Sequence, residues 1–191
     1  VLDAERVEML LRNHASEIVN TGRETDQIAI DGKALRGSKT LNLQCLHSVS
    51  AWCHENGIVL GERQTDSKSN EITTIPILLE SLNLKGNTVT TDAAGCQKSI
   101  AKLIRDKGGD YVLALKRNHR KLYESIVASI DDKQGVPLLD KFDESHGRCV
   151  RRRYFAYDLT NIPKIAEWKD AKCVVAVETI SSKDNDVERK V

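Results

Sequence analysis

Two aspartates are the first candidates for chemistry, because each follows a short apolar run. Asp31 comes directly after Ile28-Ala29-Ile30, and Asp92 comes directly after Val89-Thr90-Thr91. Runs of this kind indicate buried strands, so we expect a carboxylate at the end of either run to be desolvated. Taken alone, each residue is more typical of a turn cap, since Asp is common in turns. The pair is more informative than either member.

If the two strands are neighbours in a sheet, Asp31 and Asp92 face each other. Two carboxylates ~4 Å apart repel by about 4 kcal/mol at an effective dielectric constant of about 20, so a cation is needed between them. Oxygen ligands without His or Cys nearby favour Mg²⁺ or Mn²⁺ over zinc. Glu71 is another candidate ligand, although an acid at the entry of a helix is the interpretation we favour for it.

Two basic clusters accompany the carboxylates. The first follows a predicted strand and contains Lys116, Arg117, Arg120 and Lys121. The second lies in the C-terminal part and contains Arg148, Arg151, Arg152 and Arg153. Such runs are often solvated faces, but beside a carboxylate pair they also fit a groove for a phosphate backbone.

Composition limits the function classes. The 191 residues carry 29 Lys+Arg against 28 Asp+Glu, a net charge of +1, which argues against a protein that coats nucleic acid non-specifically. The apolar runs are too short to cross a membrane, and without a signal peptide the cytoplasm is the expected location.

Five widely spaced Cys residues are predicted to be free thiols that pack as small buried hydrophobic side chains. A start at Val1 inside a helical pattern suggests an interior piece of a longer protein.

The elements that must position these residues follow from apolar periodicity. After an N-terminal helix, we predict strands over 27–33, 46–54 and 58–66, a helix from near Thr74, a strand over 88–93, a helix over 96–107, a strand over 110–116 and a helix over 119–130. Strands are predicted again toward the C-terminus. This order favours an α/β fold, a ribonuclease-H-like mixed five-stranded sheet with flanking helices, in which the first and fourth strands are neighbours. The predicted organisation is a helix and linker over 1–26, a core over 27–134 and a β-rich region over 135–191.

The residues around both aspartates resemble a known family. The blocks are IAIDGKALRGS (28–38), KSNEITTIP (68–76), TTDAAGCQKSIA (90–101), GGDYVLALK (108–116) and SHGR (145–148). In this order and spacing they are similar to the DDE insertion-sequence transposases of the H-repeat-associated type. Several blocks in register are far more specific than one short motif.

The resemblance implies a ribonuclease-H-like catalytic core with a β-rich insertion. It implies that Asp31 and Asp92 are the first two members of an Asp-Asp-Glu triad that uses Mg²⁺ or Mn²⁺. The implied reaction is hydrolysis at transposon ends, followed by joining of the 3′-OH to target DNA. The implied partners are therefore the insertion-sequence ends and the target DNA, with a homodimer expected for a full-length protein and no membrane.

Three departures from the family pattern affect the functional prediction. The chain has Arg117-Asn118-His119 where the family usually has Gly-Asn-Gln, and Val150 where relatives usually have an acid. The family's third acid lies in a Trp- and Asn-rich block that does not occur before Val191. We therefore expect the 191 residues alone to be catalytically inactive. The alternatives are a degenerate DNA-binding remnant and, less favoured, a Mg²⁺-dependent hydrolase of small phosphate esters.

Overall fold

The computed structural model describes residues 3–19, 26–35, 38, 45–65, 71–131, 136–145, 148–159, 162, 165–183 and 186–190. The chain divides into two compact units, 1–118 and 119–191, and each is considered by itself. The domain limits predicted at residues 26 and 134 remain predictions.

The first unit contains the predicted five-stranded sheet. Its elements are α1 (Ala4–Val19), β1 (Gln27–Leu35), β2 (Leu46–Cys53), β3 (Ile58–Thr65), α2 (Glu71–Glu80), β4 (Thr88–Thr91), α3 (Lys98–Asp106) and β5 (Asp110–Leu113). The strand order is β3-β2-β1-β4-β5. The β1–β2 and β2–β3 pairs are antiparallel, whereas β1–β4 and β4–β5 are parallel. This confirms the ribonuclease-H-like mixed sheet and the adjacency of the first and fourth strands.

One face of the sheet forms the core of this unit. Side chains alternate along β1, so Ile28 and Ile30 are buried, whereas Asp31 is exposed. Helix α2 packs against β2 and β3, and α3 packs against α2 and β5. Their leucines and isoleucines, among them Leu78 and Ile104, complete the apolar cluster. Burial on this face fixes the strand register and sends Asp31 to the other face.

Two expectations about these elements were wrong. Helix α2 begins at Glu71 rather than near Thr74, so Pro76 lies inside the helix. The proline has no N–H for the carbonyl of Ile72 one turn earlier, and the exposure of Ile72 leaves water as an alternative partner. The five consecutive apolar residues 111–115 predict that β5 is covered on both faces, but its burial alternates and Val112 is 60% exposed.

The second unit is β-rich, as predicted. A 3-10 helix over Arg117–His119 lies at the junction between the units. The elements that follow are α4 (Arg120–Asp131), β6 (Leu139–Ser145), β7 (Arg148–Asp158), β8 (Cys173–Lys183) and β9 (Asp186–Lys190). The four strands form an antiparallel sheet in the order β6-β7-β8-β9. Strands β6 and β9 were not predicted individually, because both are rich in charged residues.

The cysteines follow the sequence expectation only in part. All five are free thiols; Cys53 and Cys96 are buried, whereas Cys173 is exposed. Burial raises the pKa of Cys96 to about 11, so this thiol stays protonated at neutral pH.

Among the described residues, no helix is long and apolar enough to cross a membrane.

Gly32 permits a close contact behind the end of β1. A Cβ added at Gly32 would lie 2.6 Å from Cδ of Glu71 and 2.7 Å from its Oε1. Glu71 is only 8% exposed and is the first residue of α2. Its carboxylate therefore lies against the core-facing side of β1, away from Asp31. This position agrees with a helix-entry acid rather than a partner of Asp31 in binding metal.

We expect Gly32→Ala to lower the free energy of unfolding by about 1 kcal/mol, the low end of the cost of overpacking, because the atoms that the new methyl group meets are the end of the Glu71 side chain, which can shift. Urea denaturation measures this cost. The same substitution in a Glu71→Ala background provides the control, because it removes the carboxylate that the new methyl group meets. The cost should be clearly smaller there, and an equal cost in both backgrounds would show that the contact with Glu71 is not its cause.

Candidate active site

Asp31 lies on the face of the sheet opposite the core. Its side chain is 57% exposed, and Nζ of Lys33 lies 3.6 Å from its Oδ2. Lys33 is two residues further along β1, so the two side chains project from the same face. The pair is exposed and screened by water, so it contributes little to stability. Its significance is that a cation already lies beside this carboxylate.

Asp92 directly follows β4 and organises the turn after it. Its Oδ1 accepts hydrogen bonds from the backbone N–H of Ala94 at 2.9 Å and of Gly95 at 3.4 Å. A Cβ at Gly95 would lie 2.6 Å from Cβ of Thr91, so this tight turn requires glycine. Within the described residues, all hydrogen bonds to the carboxylate go to Oδ1. Asp92 is therefore a turn cap through one oxygen, and the cap leaves Oδ2 for other partners.

The parallel pairing of β1 and β4 brings the two aspartates together. Ile30 pairs with Thr91 at the end of the ladder, and Asp31 and Asp92 are the next residue on each strand. Residues at one register position of adjacent parallel strands project from the same face, with the strands about 4.8 Å apart. The predicted desolvation was wrong, because both residues are exposed. Ile28, Ile30, Val89 and Thr91 line the core face, whereas the aspartates lie on the other.

The donor set of this pair suits a hard cation. Two carboxylates at one register position offer oxygen ligands, which Mg²⁺ and Mn²⁺ prefer. The set is small: among the described residues, no group of three or more His, Cys, Asp or Glu side chains could hold a metal ion. Asp31 and Asp92 thus fit one weakly held ion. No third acid joins them in the described part of the chain.

The carboxyl end of β5 places basic residues at the same edge of the sheet. Strand β5 is parallel to β4, and the N–H of Ala114 continues the ladder by donating to the carbonyl of Thr91 at 3.2 Å. Lys116 and Arg117 follow and are exposed. Asn118 joins this segment to the turn after Asp92, since its Nδ2 donates to the carbonyl of Ala93 at 2.8 Å. The edge therefore carries two acids, Asp31 and Asp92, and three cations, Lys33, Lys116 and Arg117.

The other basic residues predicted to contact DNA lie in the second unit. At the start of α4, Nε of Arg120 donates to Oε1 of Glu124 at 2.7 Å. This hydrogen bond raises the pKa of Arg120. Lys121 is exposed on the same helix. Arg120 is therefore partly neutralised by its own helix.

The arginines of β7 have different surroundings from one another. Arg151 makes a two-pronged contact with Asp140, Nε to Oδ1 at 2.9 Å and Nη2 to Oδ2 at 2.6 Å. Arg153 pairs with the buried carboxylate of Glu178. Arg152 is exposed and projects from the opposite face of the strand. Arg148 begins β7, and its side chain lies outside the described part of the structure.

Lys33 and Asn118 also belong to this edge, and neither was predicted from the sequence as a candidate site residue. Lys33 could have been found, because two residues along a strand is the spacing that returns a side chain to the same face. Asn118 carried a weaker signal, as the one residue of Arg117-Asn118-His119 that matches Gly-Asn-Gln. Its importance depends on the contact with Ala93, 25 residues earlier, which only the fold creates.

Comparison with known proteins gives a consistent result. Residues 22–183 match the family described as "Transposase DDE domain". The chain is 35% identical over 187 residues to an uncharacterized protein in the dhlA 3′ region of Xanthobacter autotrophicus, covering 94% of this chain and 62% of that protein. It is 44% identical to the candidate transposase YncI of Escherichia coli K12, covering 70% and 56%. It is also 38% identical to the candidate H repeat-associated transposase YbfD of the same strain, covering 80% and 60%.

The chain spans about half to three-fifths of the length of these relatives. Among solved structures, a piggyBac transposase synaptic complex with hairpin DNA aligns with 96% of this chain and 41% of that one. That alignment has a TM-score of 0.40 at 13% sequence identity.

Proposed function

This chain belongs to the family of transposases with a DDE domain, and we propose that it carries two of the three acids of such an enzyme, Asp31 and Asp92. The observation that supports the proposal is the parallel pairing of β1 and β4, whose last pair is Ile30 with Thr91, so that each aspartate is the next residue along its strand. The proposed reaction is hydrolysis of a phosphodiester bond at an insertion-sequence end and transfer of the freed strand to target DNA. The proposed location is the cytoplasm, and a full-length protein is proposed to act as a homodimer.

Four residues of the edge have a defined part in this proposal. Asp31 and Asp92 would hold Mg²⁺ or Mn²⁺, and the turn over residues 93–95 orients the carboxylate of Asp92 through its Oδ1. A divalent ion held there supplies Lewis-acid stabilisation of the charge that develops on the phosphate. Lys116 and Arg117 would bind the DNA backbone beside it. Phosphoryl transfer depends mainly on such positioning and charge neutralisation.

We further propose that these 191 residues alone do not cleave DNA. Asp31 and Asp92 can share one ion, but they hold a second poorly. The third acid would come from a part of a longer protein, since the chain matches only part of the length of its relatives. The proposal includes DNA binding by the basic residues of both units, Lys116, Arg117, Arg120, Lys121, Arg148, Arg151, Arg152 and Arg153.

Salt dependence distinguishes the basic residues from one another. We expect Lys116→Ala with Arg117→Ala to flatten the slope of log K against log salt by about two units, if each residue neutralises one phosphate. The matched double variant Arg120→Ala with Arg151→Ala should flatten it less, because both side chains are already paired with exposed acids. Fluorescence anisotropy of a labelled duplex between 50 and 200 mM salt, about the range in which such slopes develop, measures both. The opposite ranking would make the second unit the main DNA contact.

The experiment that tests the function combines this duplex with Mn²⁺. The chain should bind the duplex with a steep salt dependence and little sequence preference, because phosphate contacts do not specify sequence. It should leave the DNA uncut. Salt-insensitive binding together with hydrolysis of p-nitrophenyl phosphate would instead favour a small-ester hydrolase.

A further inference from the structure

Asn118 connects the acidic and basic parts of the sheet edge through one side chain. Its Nδ2 donates to the carbonyl of Ala93 at 2.8 Å, and its Oδ1 accepts from the backbone N–H of Lys116 at 3.3 Å. Ala93 directly follows Asp92, whose own Oδ1 accepts from the N–H of Ala94. A continuous set of hydrogen bonds therefore runs from the carboxylate of Asp92 to the backbone of Lys116.

The chemistry of this link requires an amide of the right length. A primary amide provides a donor and an acceptor on one planar group, so a single side chain can join a carbonyl in one segment to an N–H in another. Asn118 is exposed, so water could satisfy both backbone groups without it. What the side chain adds is a fixed spacing between the segments that follow β4 and β5.

We propose that Asn118 is a positioning residue, which sets Lys116 and Arg117 at the distance from Asp31 and Asp92 at which one DNA phosphate can contact both the basic side chains and a metal ion held by the aspartates. This inference rests on the proposed function. A phosphate that contacts both groups links the two binding events. Metal then binds more tightly in the presence of DNA, and DNA more tightly in the presence of metal, by the same factor.

The linkage can be measured on the 191-residue chain without any catalysis. Electron paramagnetic resonance of free Mn²⁺ gives the Mn²⁺ dissociation constant with and without a saturating short duplex, once the Mn²⁺ bound by the duplex alone has been measured and subtracted. For the unsubstituted chain we expect the duplex to tighten Mn²⁺ binding by about fivefold or more, the lower end of typical coupling factors. Asn118→Ala should bring that factor close to one and leave the dissociation constant without DNA within about twofold of the original, because both ligands remain.

Two further variants sharpen the result. Asn83→Ala is the matched control, since Asn83 is also exposed and its Oδ1 accepts from the N–H of Lys85 at 3.3 Å, two residues away, but before β4 and thus at the other end of the sheet. It should keep the full coupling. Asn118→Gln keeps the donor and the acceptor one methylene further out and should recover part of it. Thermal melting of all three variants verifies that each is folded.

The outcomes separate this inference from the function on which it rests. Full coupling in Asn118→Ala would overturn the positioning role, as would an equal loss of Mn²⁺ affinity with and without DNA. An unsubstituted chain that binds Mn²⁺ and DNA independently would overturn the inference and leave the metal site standing. A chain that binds no Mn²⁺ would overturn both.

Discussion

Asp31→Asn and Asp92→Asn should each reduce metal-dependent DNA cleavage by about a thousandfold, measured in a protein extended to the length of its relatives. The loss follows because each substitution removes one of two charged ligands, and metal stabilisation of a phosphoryl transition state is worth several kcal/mol. The fold should be unaffected, since both side chains are exposed and on the face away from the core, and Asp92→Asn keeps an Oδ1 that accepts from the N–H of Ala94. Gel analysis of labelled transposon ends with Mg²⁺ and with Mn²⁺ measures the effect.

Asp110→Asn is the matched control for these two substitutions. Asp110 is also an exposed acid on the five-stranded sheet, but it pairs in register with Thr88 at the opposite end of β4, and its partner is Arg105. We expect the cleavage activity of the Asp110→Asn variant to stay close to that of the unsubstituted protein. If Asp31→Asn left cleavage intact and Asp110→Asn abolished it, the site would lie at the other end of the sheet.

Glu178→Ala should give the largest loss of stability, about 2–3 kcal/mol in the free energy of unfolding of the second unit. The Glu178 side chain is 4% exposed and that of Arg153 is 29% exposed, so removing the acid leaves a partly buried guanidinium without its partner. Breaking a fully buried pair costs about 3–5 kcal/mol, and water reaching Arg153 reduces this. Urea denaturation followed by circular dichroism measures it, and Glu178→Gln provides a variant of the same shape if the alanine variant does not fold.

The pair formed by Arg151 of β7 and Asp140 of β6 is the natural comparison. It is more exposed, so Asp140→Ala should cost much less than Glu178→Ala and should lose its effect in high salt. The hydrogen bond from Arg151 lowers the pKa of Asp140. The stability from this pair is therefore present above the unfolded pKa of Asp and is lost as the pH falls through the lowered folded value. Equal costs for the two substitutions would contradict the difference in burial.

The arrangement of Asp31 and Asp92 could be predicted from the sequence because it depends on strand order. An apolar run before each residue indicated two strands, and the succession of strands and helices indicated that these strands are neighbours. The exposure of the pair could not be predicted, since an apolar run does not reveal which face of its strand is covered. Ile30 faces the core and Asp31 does not, although they are adjacent in the chain.

The acidic partners of Arg151 and Arg153 depend on strand register and could not be predicted from the sequence. Arg151 and Arg153 read as neighbouring charges of one basic cluster, yet their partners are 11 and 25 residues away. Both contacts follow from the pairing of β7 with β6 and β8. Strand β6, which contains Asp140, was not predicted. Its many charged residues leave no clear alternation of apolar and polar side chains.

The central claim is that Asp31 and Asp92 together bind a divalent metal ion, and the anomalous scattering of Mn²⁺ in crystals of this chain tests it most directly. We expect one anomalous peak within coordination distance of a carboxylate oxygen from each residue, on the face of the sheet away from Ile28 and Ile30. The peak should disappear in Asp92→Asn crystals and persist in Asp110→Asn crystals. A Mn²⁺ peak bound elsewhere, with neither aspartate as a ligand, would contradict the claim.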